Sequence, residues 1–319
     1  MIAEHKSRAV GRFSQNPSPI LRAAYQLFLA LCAPTHSALV TAPRHLYGGA
    51  RRWHNNRSAR TAAHMDSPCC KGVVRDASAL TGESVTIGDA PAYLALPKAT
   101  ESKPVGVVVI HDIWGFNIPN AKYIADHFAA NGFPAVLPNL YHGISTLDGW
   151  PGTESDDGEA LEGIKWDAWW DEITAQSYWQ PFHARVAAVV KKLKEEHGVS
   201  KVCMIGFCWG GLAIEQLSTT GGFAAAASVH GCHEGADNFK AAKAAGCGIA
   251  YHTVPGDESF PEAAQKALLE VGAPVTVYEG MEHGFAVRGD FAGNAKLKTA
   301  ADKCLEAVVA QFFAVAEGA

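Results

Sequence analysis

Several features that would settle the class of this 319-residue chain early are missing from it. No period of about 20 to 50 residues repeats along the sequence, which excludes solenoids and propellers. No apolar run is long enough to span a bilayer: Ile20 to Ala33, the one run in the leading segment, is short and interrupted by Arg22. There is no Cys-x-x-Cys pair among the eight cysteines (Cys32, Cys69, Cys70, Cys203, Cys208, Cys232, Cys247, Cys304). Cys69 and Cys70 are adjacent, but no His or Cys follows them at ligand spacing, and Cys232 with His233 stands alone. Neither a disulfide framework nor a metal site is expected, and the thiols read as reduced, as in an intracellular compartment.

Acidic residues are almost absent from residues 1–64, which hold Glu4 against nine Lys and Arg. The remaining 255 residues carry 18 basic and 31 acidic side chains, so a whole-chain charge of -5 conceals a body near -13. Such a body is a poor partner for nucleic acid, whose phosphates are bound by cations. The leading segment is basic and rich in Ser, Ala, Pro and Asn, and reads as an address rather than a fold: a transit peptide for a mitochondrion or plastid. An extension without a role is the alternative, because Met65 would start a normal protein. A secretory signal cleaved near Ala33 or Ala38 fits less well, since the chain stays basic for about 25 further residues. The expected organisation is a targeting extension over 1–64 and one domain over 65–319. No membrane partner and no nucleic-acid partner is expected.

What is present is a globular composition, 48% hydrophobic and 18% charged. From Val73 onward, apolar runs of strand length alternate with helical patterns, the signature of an α/β fold with parallel strands and crossover helices. Val105 to His111 is a continuous apolar run, as a strand buried on both faces requires. A helix from about Ile118 to Asn131 follows, closed by Gly132. Strands are expected at Pro134 to Pro138, Lys201 to Gly206, Ala224 to His230, Gly248 to Val254 and Val275 to Tyr278. Helices are expected from Pro181 to His197, after Gly210, from Pro261 to Val271 and from Asn294 to Val315. Glu83 to Leu96 reads as a leading antiparallel hairpin. Gly143 to Tyr178, rich in Gly, acids and Trp, reads as a lid-like excursion over the sheet.

The most informative stretch is Val202-Cys-Met-Ile-Gly-Phe-Cys-Trp-Gly-Gly211, an apolar strand running into Gly-x-Cys-x-Gly and then a helix. This pattern reads as a nucleophile elbow, and the expected fold is that of an α/β-hydrolase, with helices on both faces of a mostly parallel sheet in a three-layer sandwich. The tight turn lifts Cys208 above the sheet edge, where a helix N-terminus stabilises a thiolate. The backbone amide of Trp209 then faces a developing oxyanion. Cys203, on the same strand, reads as core.

Hydrolases of this fold place nucleophile, acid and histidine in that order along the chain. Four histidines follow Cys208: His230, His233, His252 and His283. His283 lies in a loop after the last strand and is the expected base; His230 ends a strand and can touch the pocket, while His252 packs inside one. Asp257, in the turn after the preceding strand, is the expected acid that fixes the His283 tautomer, with Glu258 its rival. A second oxyanion amide is expected from Ile113, in the loop after the first crossover strand. Asp112 beside it is expected to share control of the Cys208 proton.

With these pieces placed, the chain resembles the dienelactone hydrolase (carboxymethylenebutenolidase) family over about residues 68 to 316. The resemblance is carried by His111-Asp-Ile-Trp-Gly-Phe-Asn117, Pro138-Asn-Leu-Tyr141, Gly206-Phe-Cys-Trp-Gly-Gly211, Gly256-Asp257 and His283-Gly-Phe285. It implies a Cys-His-Asp triad that opens lactones or cleaves esters through a thioester, with no metal or organic cofactor. Bacterial members have Glu where this chain has Asp112, and they bind the substrate carboxylate through arginines. Here Arg288 lies five places past His283, either serving an anionic substrate or pairing with Asp290 on the surface. The region from Val73 to Leu96 looks more like the eukaryotic branch. Trp114, Phe116, Trp150 and Trp209 are candidates for the pocket wall. A thioesterase, a general carboxylesterase, and a catalytically idle protein with a redox-sensitive Cys208 are the alternatives.

Overall fold

The computed structural model describes residues 73–98, 101–143, 176–233 and 235–318. All of these lie in the unit Gly49–Ala319. The expectations for residues 1–64, for Cys69 and Cys70, and for the lid from residue 144 to 175 with Trp150 lie outside the described residues.

Among the described residues, eight strands form one sheet in the order β1-β2-β4-β3-β5-β6-β7-β8. The expected hairpin is β1 (Glu83–Ile87) paired antiparallel with β2 (Ala90–Ala95), and β2 lies antiparallel to β4 (Ala135–Pro138). From β4 onward all neighbours are parallel: β3 (Val105–Ile110), β5 (Lys201–Phe207), β6 (Ala225–Val229), β7 (Gly248–Thr253) and β8 (Val275–Val277). All six residues of β3 are buried, the reason its sequence shows no polar alternation.

Successive side chains of each strand feed opposite cores. In β5, Val202 and Met204 enter one hydrophobic cluster while Cys203, Ile205 and Phe207 enter the other. The first cluster is covered by α2 (Gln176–Glu196), α3 (Trp209–Ser218), α4 (Asp237–Ala244) and α5 (Glu262–Glu270). The second is covered by α1 (Pro119–Ala130) and α6 (Ala295–Glu317), whose Phe128 and Phe312 rings stack at 5.6 Å. Each such fully buried ring contributes about 1.5–3 kcal/mol through removal of apolar surface from water. Helices on both faces complete the three layers.

Local chemistry sets the element ends. Pro119 opens α1, where its missing N–H costs nothing, and Gly132 closes it at φ +88 with the Phe133 amide returning to the Phe128 carbonyl at 3.0 Å. Asn294 caps α6 by accepting from the Leu297 amide at 3.0 Å.

Two boundaries and one element depart from the sequence expectation. α2 begins at Gln176, so Pro181 sits inside it. Pro181 lacks the N–H that would pair with the Ser177 carbonyl, so one intrahelical bond is missing near the start of α2. α3 begins at Trp209 rather than after Gly210, so strand and helix are separated by Cys208 alone. α4 was not anticipated, because only Phe239 and Ala242 of its eight residues are buried and its apolar stripe is too thin to read. Among the described residues, no helix is long and apolar enough to cross a membrane.

The sheet order reverses between β3 and β5, which run side by side with Ile110 opposite Gly206. Open parallel sheets bind ligands in the crevice at such a switch point, outside the strand C-termini. The loops carrying Asp112 and Ile113 and the turn carrying Cys208 leave the sheet there.

Candidate active site

Cys208 has φ 53 and ψ -119, a left-handed conformation that L residues avoid. Its neighbours hold it there. The Cys208 amide donates to the Val229 carbonyl at 3.2 Å, and its carbonyl accepts from the amides of Gly211 at 2.9 Å and Cys232 at 3.3 Å. Two glycines make the turn sterically possible. A side chain at Gly206 would run into the Gly210 carbonyl, and one at Gly210 into the carbonyls of His111 and Ile110. Strain of this kind costs about 1–3 kcal/mol and persists where the surroundings over-determine it.

Trp209 is the first residue of α3, so its amide has no carbonyl one turn back to receive it. Among the described residues, neither this amide nor that of Ile113 donates to a backbone carbonyl. Asp112 is buried at 3% exposure, with Oδ1 accepting from the Trp114 amide at 2.9 Å. Burial raises its pKa to about 6, against the lowering influence of Arg288, the Trp114 amide and His283.

Arg288 is buried at 2% and stacks its guanidinium over Trp114 at 4.9 Å. Of the two alternatives for Arg288, this burial speaks against the surface pair with Asp290, which is exposed and accepts from the Gly293 amide at 2.8 Å. Trp114 shares the first core cluster with Cys208 and Trp209, whereas Phe116 belongs to the second, where Lys122 lies 4.6 Å over its ring. Of the two aromatics expected at the pocket wall from this loop, the structure groups only Trp114 with the cysteine.

His283 and Asp257 meet as the spacing predicts. Nδ1 of His283 lies 2.9 Å from Oδ2 of Asp257, and the Ser259 amide donates to Oδ1 at 2.9 Å. Burial alone would raise the Asp257 pKa, but the His283 charge, the His283 hydrogen bond and the Ser259 amide outweigh it and hold it below the ordinary value. Glu258 is exposed, which removes the rival acid. His252 packs inside β7, with Nδ1 3.0 Å from the Tyr278 hydroxyl.

His230 reaches the site, as its place at a strand end suggests, while the surroundings of His233 escaped sequence reasoning. His230 is fully buried at φ 39, and its ring packs 4.9 Å from that of His283. Burial, then the His283 charge, pushes its pKa well down and keeps it neutral, though Asp257 opposes them. His233, which looked isolated in sequence, joins a buried polar network. Its Nδ1 lies 3.1 Å from Glu215 Oε1 and its Nε2 2.6 Å from Ser228 Oγ, while Glu215 also accepts from Tyr251 at 2.8 Å. The His233 amide then donates to the Ser259 carbonyl at 2.8 Å, beside the acid loop. No sequence pattern signals this, because its members come from α3, β6, β7 and a loop.

The five described cysteines are free, and among the described residues no cluster of three or more His, Cys, Asp or Glu is arranged to hold a metal ion.

Fold and site together define an α/β-hydrolase. A family model described as the dienelactone hydrolase family matches residues 90–316. The chain belongs to that family and is thereby a hydrolase of carboxylic esters or lactones. It is 27% identical over 230 residues to the hydrolase tropI of Talaromyces stipitatus, covering 70% of this chain and 86% of the fungal protein. It is 26% identical over 212 residues to the carboxymethylenebutenolidase homolog of Homo sapiens, covering 65% and 80%. Among solved structures it is similar to a putative dienelactone hydrolase from Klebsiella pneumoniae, at 18% identity and TM-score 0.54, covering 72% of this chain and 97% of that one. A dienelactone hydrolase-like promiscuous phosphotriesterase from metagenomic libraries matches at 22% identity and TM-score 0.52, covering 73% and 97%. At such identities these two structures speak for the fold alone.

Proposed function

We propose that the chain is a cysteine hydrolase that opens a lactone or cleaves a small carboxylic ester through a thioester on Cys208. The observation that carries this reading is the strained Cys208 at the strand-to-helix elbow, on the same sheet edge as the hydrogen-bonded Asp257–His283 pair. In this mechanism the Cys208 thiolate attacks the carbonyl carbon, and the amides of Trp209 and Ile113 receive the oxyanion. His283 protonates the leaving alkoxide, then takes a proton from the water that hydrolyses the thioester. Asp257 holds Nδ1 of His283, so that Nε2 is the nitrogen that exchanges protons. Asp112, one residue before the Ile113 amide, shares control of the thiol proton.

A thiolate is a better leaving group than an amine, so attack on an amide reverts while attack on an ester proceeds. Esters and lactones are therefore favoured over peptides. The buried Arg288 on Trp114 supports a substrate carrying a carboxylate, and exchange of Arg288 for Met is expected to raise KM for acidic lactones more than for neutral aryl esters.

The decisive test compares wild type with Cys208→Ala on a small aryl ester, an acyl thioester and dienelactone, with acid quenching and mass spectrometry for the acyl-enzyme. Loss of turnover together with an acyl adduct on Cys208 in the wild type supports the proposal. Unchanged turnover in the variant overturns it.

A further inference from the structure

We propose that the phenolic hydroxyl of Tyr141 is a third oxyanion donor, meeting the substrate carbonyl oxygen as it gains charge beside the amides of Ile113 and Trp209. The inference rests on the Cys208 reading above and deepens it.

Tyr141 follows β4, its amide held by Asn139 Oδ1 at 3.1 Å. Its ring wedges between the two segments that carry the candidate oxyanion amides. It packs edge-on against His111 with centroids 4.5 Å apart, and against Trp209 at 5.0 Å. His111 immediately precedes Asp112 and Ile113, and Trp209 immediately follows Cys208. Phe182 of α2 backs the ring at 6.4 Å, and Tyr141 as a whole is 2% exposed.

The hydroxyl is buried and makes no hydrogen bond among the described residues. A buried polar group left this way is destabilising, and a phenylalanine would fill the same space without that penalty. Among the described residues the hydroxyl is thus left open to a partner that arrives with the substrate. The charged or reactive groups around it are Asp112, Cys208 and Cys232. Burial, followed by these same neighbours, keeps the phenol protonated far above the ordinary range, so towards an anion it acts as a donor.

The tetrahedral intermediate supplies that anion. As the bond from Cys208 Sγ to the carbonyl carbon forms, the π pair moves onto the carbonyl oxygen. Tyr141 donates a hydrogen bond to that oxygen and keeps its proton. On collapse the pair returns, the bond to the alkoxide breaks, and the alkoxide takes its proton from His283. A donor satisfied only in this state lowers the barrier without tightening substrate binding.

The test sets Tyr141→Phe beside wild type and Cys208→Ala on an aryl ester, with thermal unfolding. Inhibition by an aliphatic aldehyde, which forms a tetrahedral hemithioacetal on the cysteine, is measured in parallel. For Tyr141→Phe the expectation is a kcat lower by about a hundredfold, KM within about twofold, and a similar loss of aldehyde affinity. Its melting temperature should equal or exceed that of wild type, since an unpaired oxygen is removed. The proposal is overturned by a kcat within about twofold of wild type, by a loss confined to KM, by unchanged aldehyde affinity, or by a lowered melting temperature, which would make the hydroxyl structural. An inactive Cys208→Ala alongside any of these leaves the Cys208 reading standing. Turnover in Cys208→Ala overturns that reading and this inference with it.

Discussion

His283 Nδ1 lies 2.9 Å from Oδ2 of Asp257, while the second oxygen of the same carboxylate is engaged by the Ser259 amide. The carboxylate is thus oriented from its own turn before it orients the imidazole. Asp257→Asn keeps the shape but presents an amide that favours the wrong tautomer, so kcat on an aryl ester should fall about 10⁴-fold. Glu258→Gln, at an exposed position, should stay within about twofold. Comparable losses in both variants would dismiss Asp257 as the orienting acid.

The elbow depends on two missing side chains. Gly206→Ala places a methyl group against the Gly210 carbonyl, backbone that cannot swing aside, and should cost about 1–3 kcal/mol or more in urea unfolding. Gly248→Ala, where an added methyl meets nothing within 4 Å, is the control and should change stability by about 0.5 kcal/mol at most.

Asp112 makes stability depend on pH in a defined direction. Its folded pKa, near 6, lies above the ordinary 3.8, so between these values the native state holds more protons than the unfolded chain. The contribution is fully present below the ordinary value and is lost as pH rises through 6. Asp112→Asn lacks this titration. The unfolding free energy of wild type minus that of the variant should therefore decline from pH 4 to pH 7, by at most about 3 kcal/mol. Urea titrations of both proteins across that range measure it, and a flat or rising difference would refute the assignment.

Glu215 anchors the polar network behind the site. Glu215→Ala takes the shared carboxylate away from the Tyr251 hydroxyl and the His233 ring and should cost about 2–5 kcal/mol. Ser228→Ala removes one partner of His233 and should cost less, about 1–3 kcal/mol. Because the His233 amide also holds the Ser259 carbonyl next to Asp257, both variants should lower kcat in the same order. Equal melting temperatures for the two would count against this arrangement.

Much of this protein could be read from one dimension. A parallel sheet demands uninterrupted apolar strands, and β3 and β5 display them openly. The Gly-x-Cys-x-Gly spacing marks a turn that few other structures need. Order along the chain then selects Asp257 and His283 from among several acids and histidines, because this fold delivers its functional groups from successive strand ends. Helix α4 was hidden because its buried stripe is two residues wide, and the early start of α2 because proline ordinarily marks a helix beginning.

The sequence by itself determined the strand-to-helix elbow, the chain order of Cys208, Asp257 and His283, and the charge contrast between residues 1–64 and the body. These are local or sequential properties, written in steric rules and residue spacing. Only the tertiary structure decided that Arg288 is buried against Trp114 instead of paired with Asp290. The same holds for His230 packed on His283, for the tie of His233 to Glu215 and Ser228, and for Tyr141 wedged between His111 and Trp209. Each of these relationships joins side chains far apart in the chain. Whether a polar atom ends beside a partner, a ring or nothing at all depends on how the layers pack.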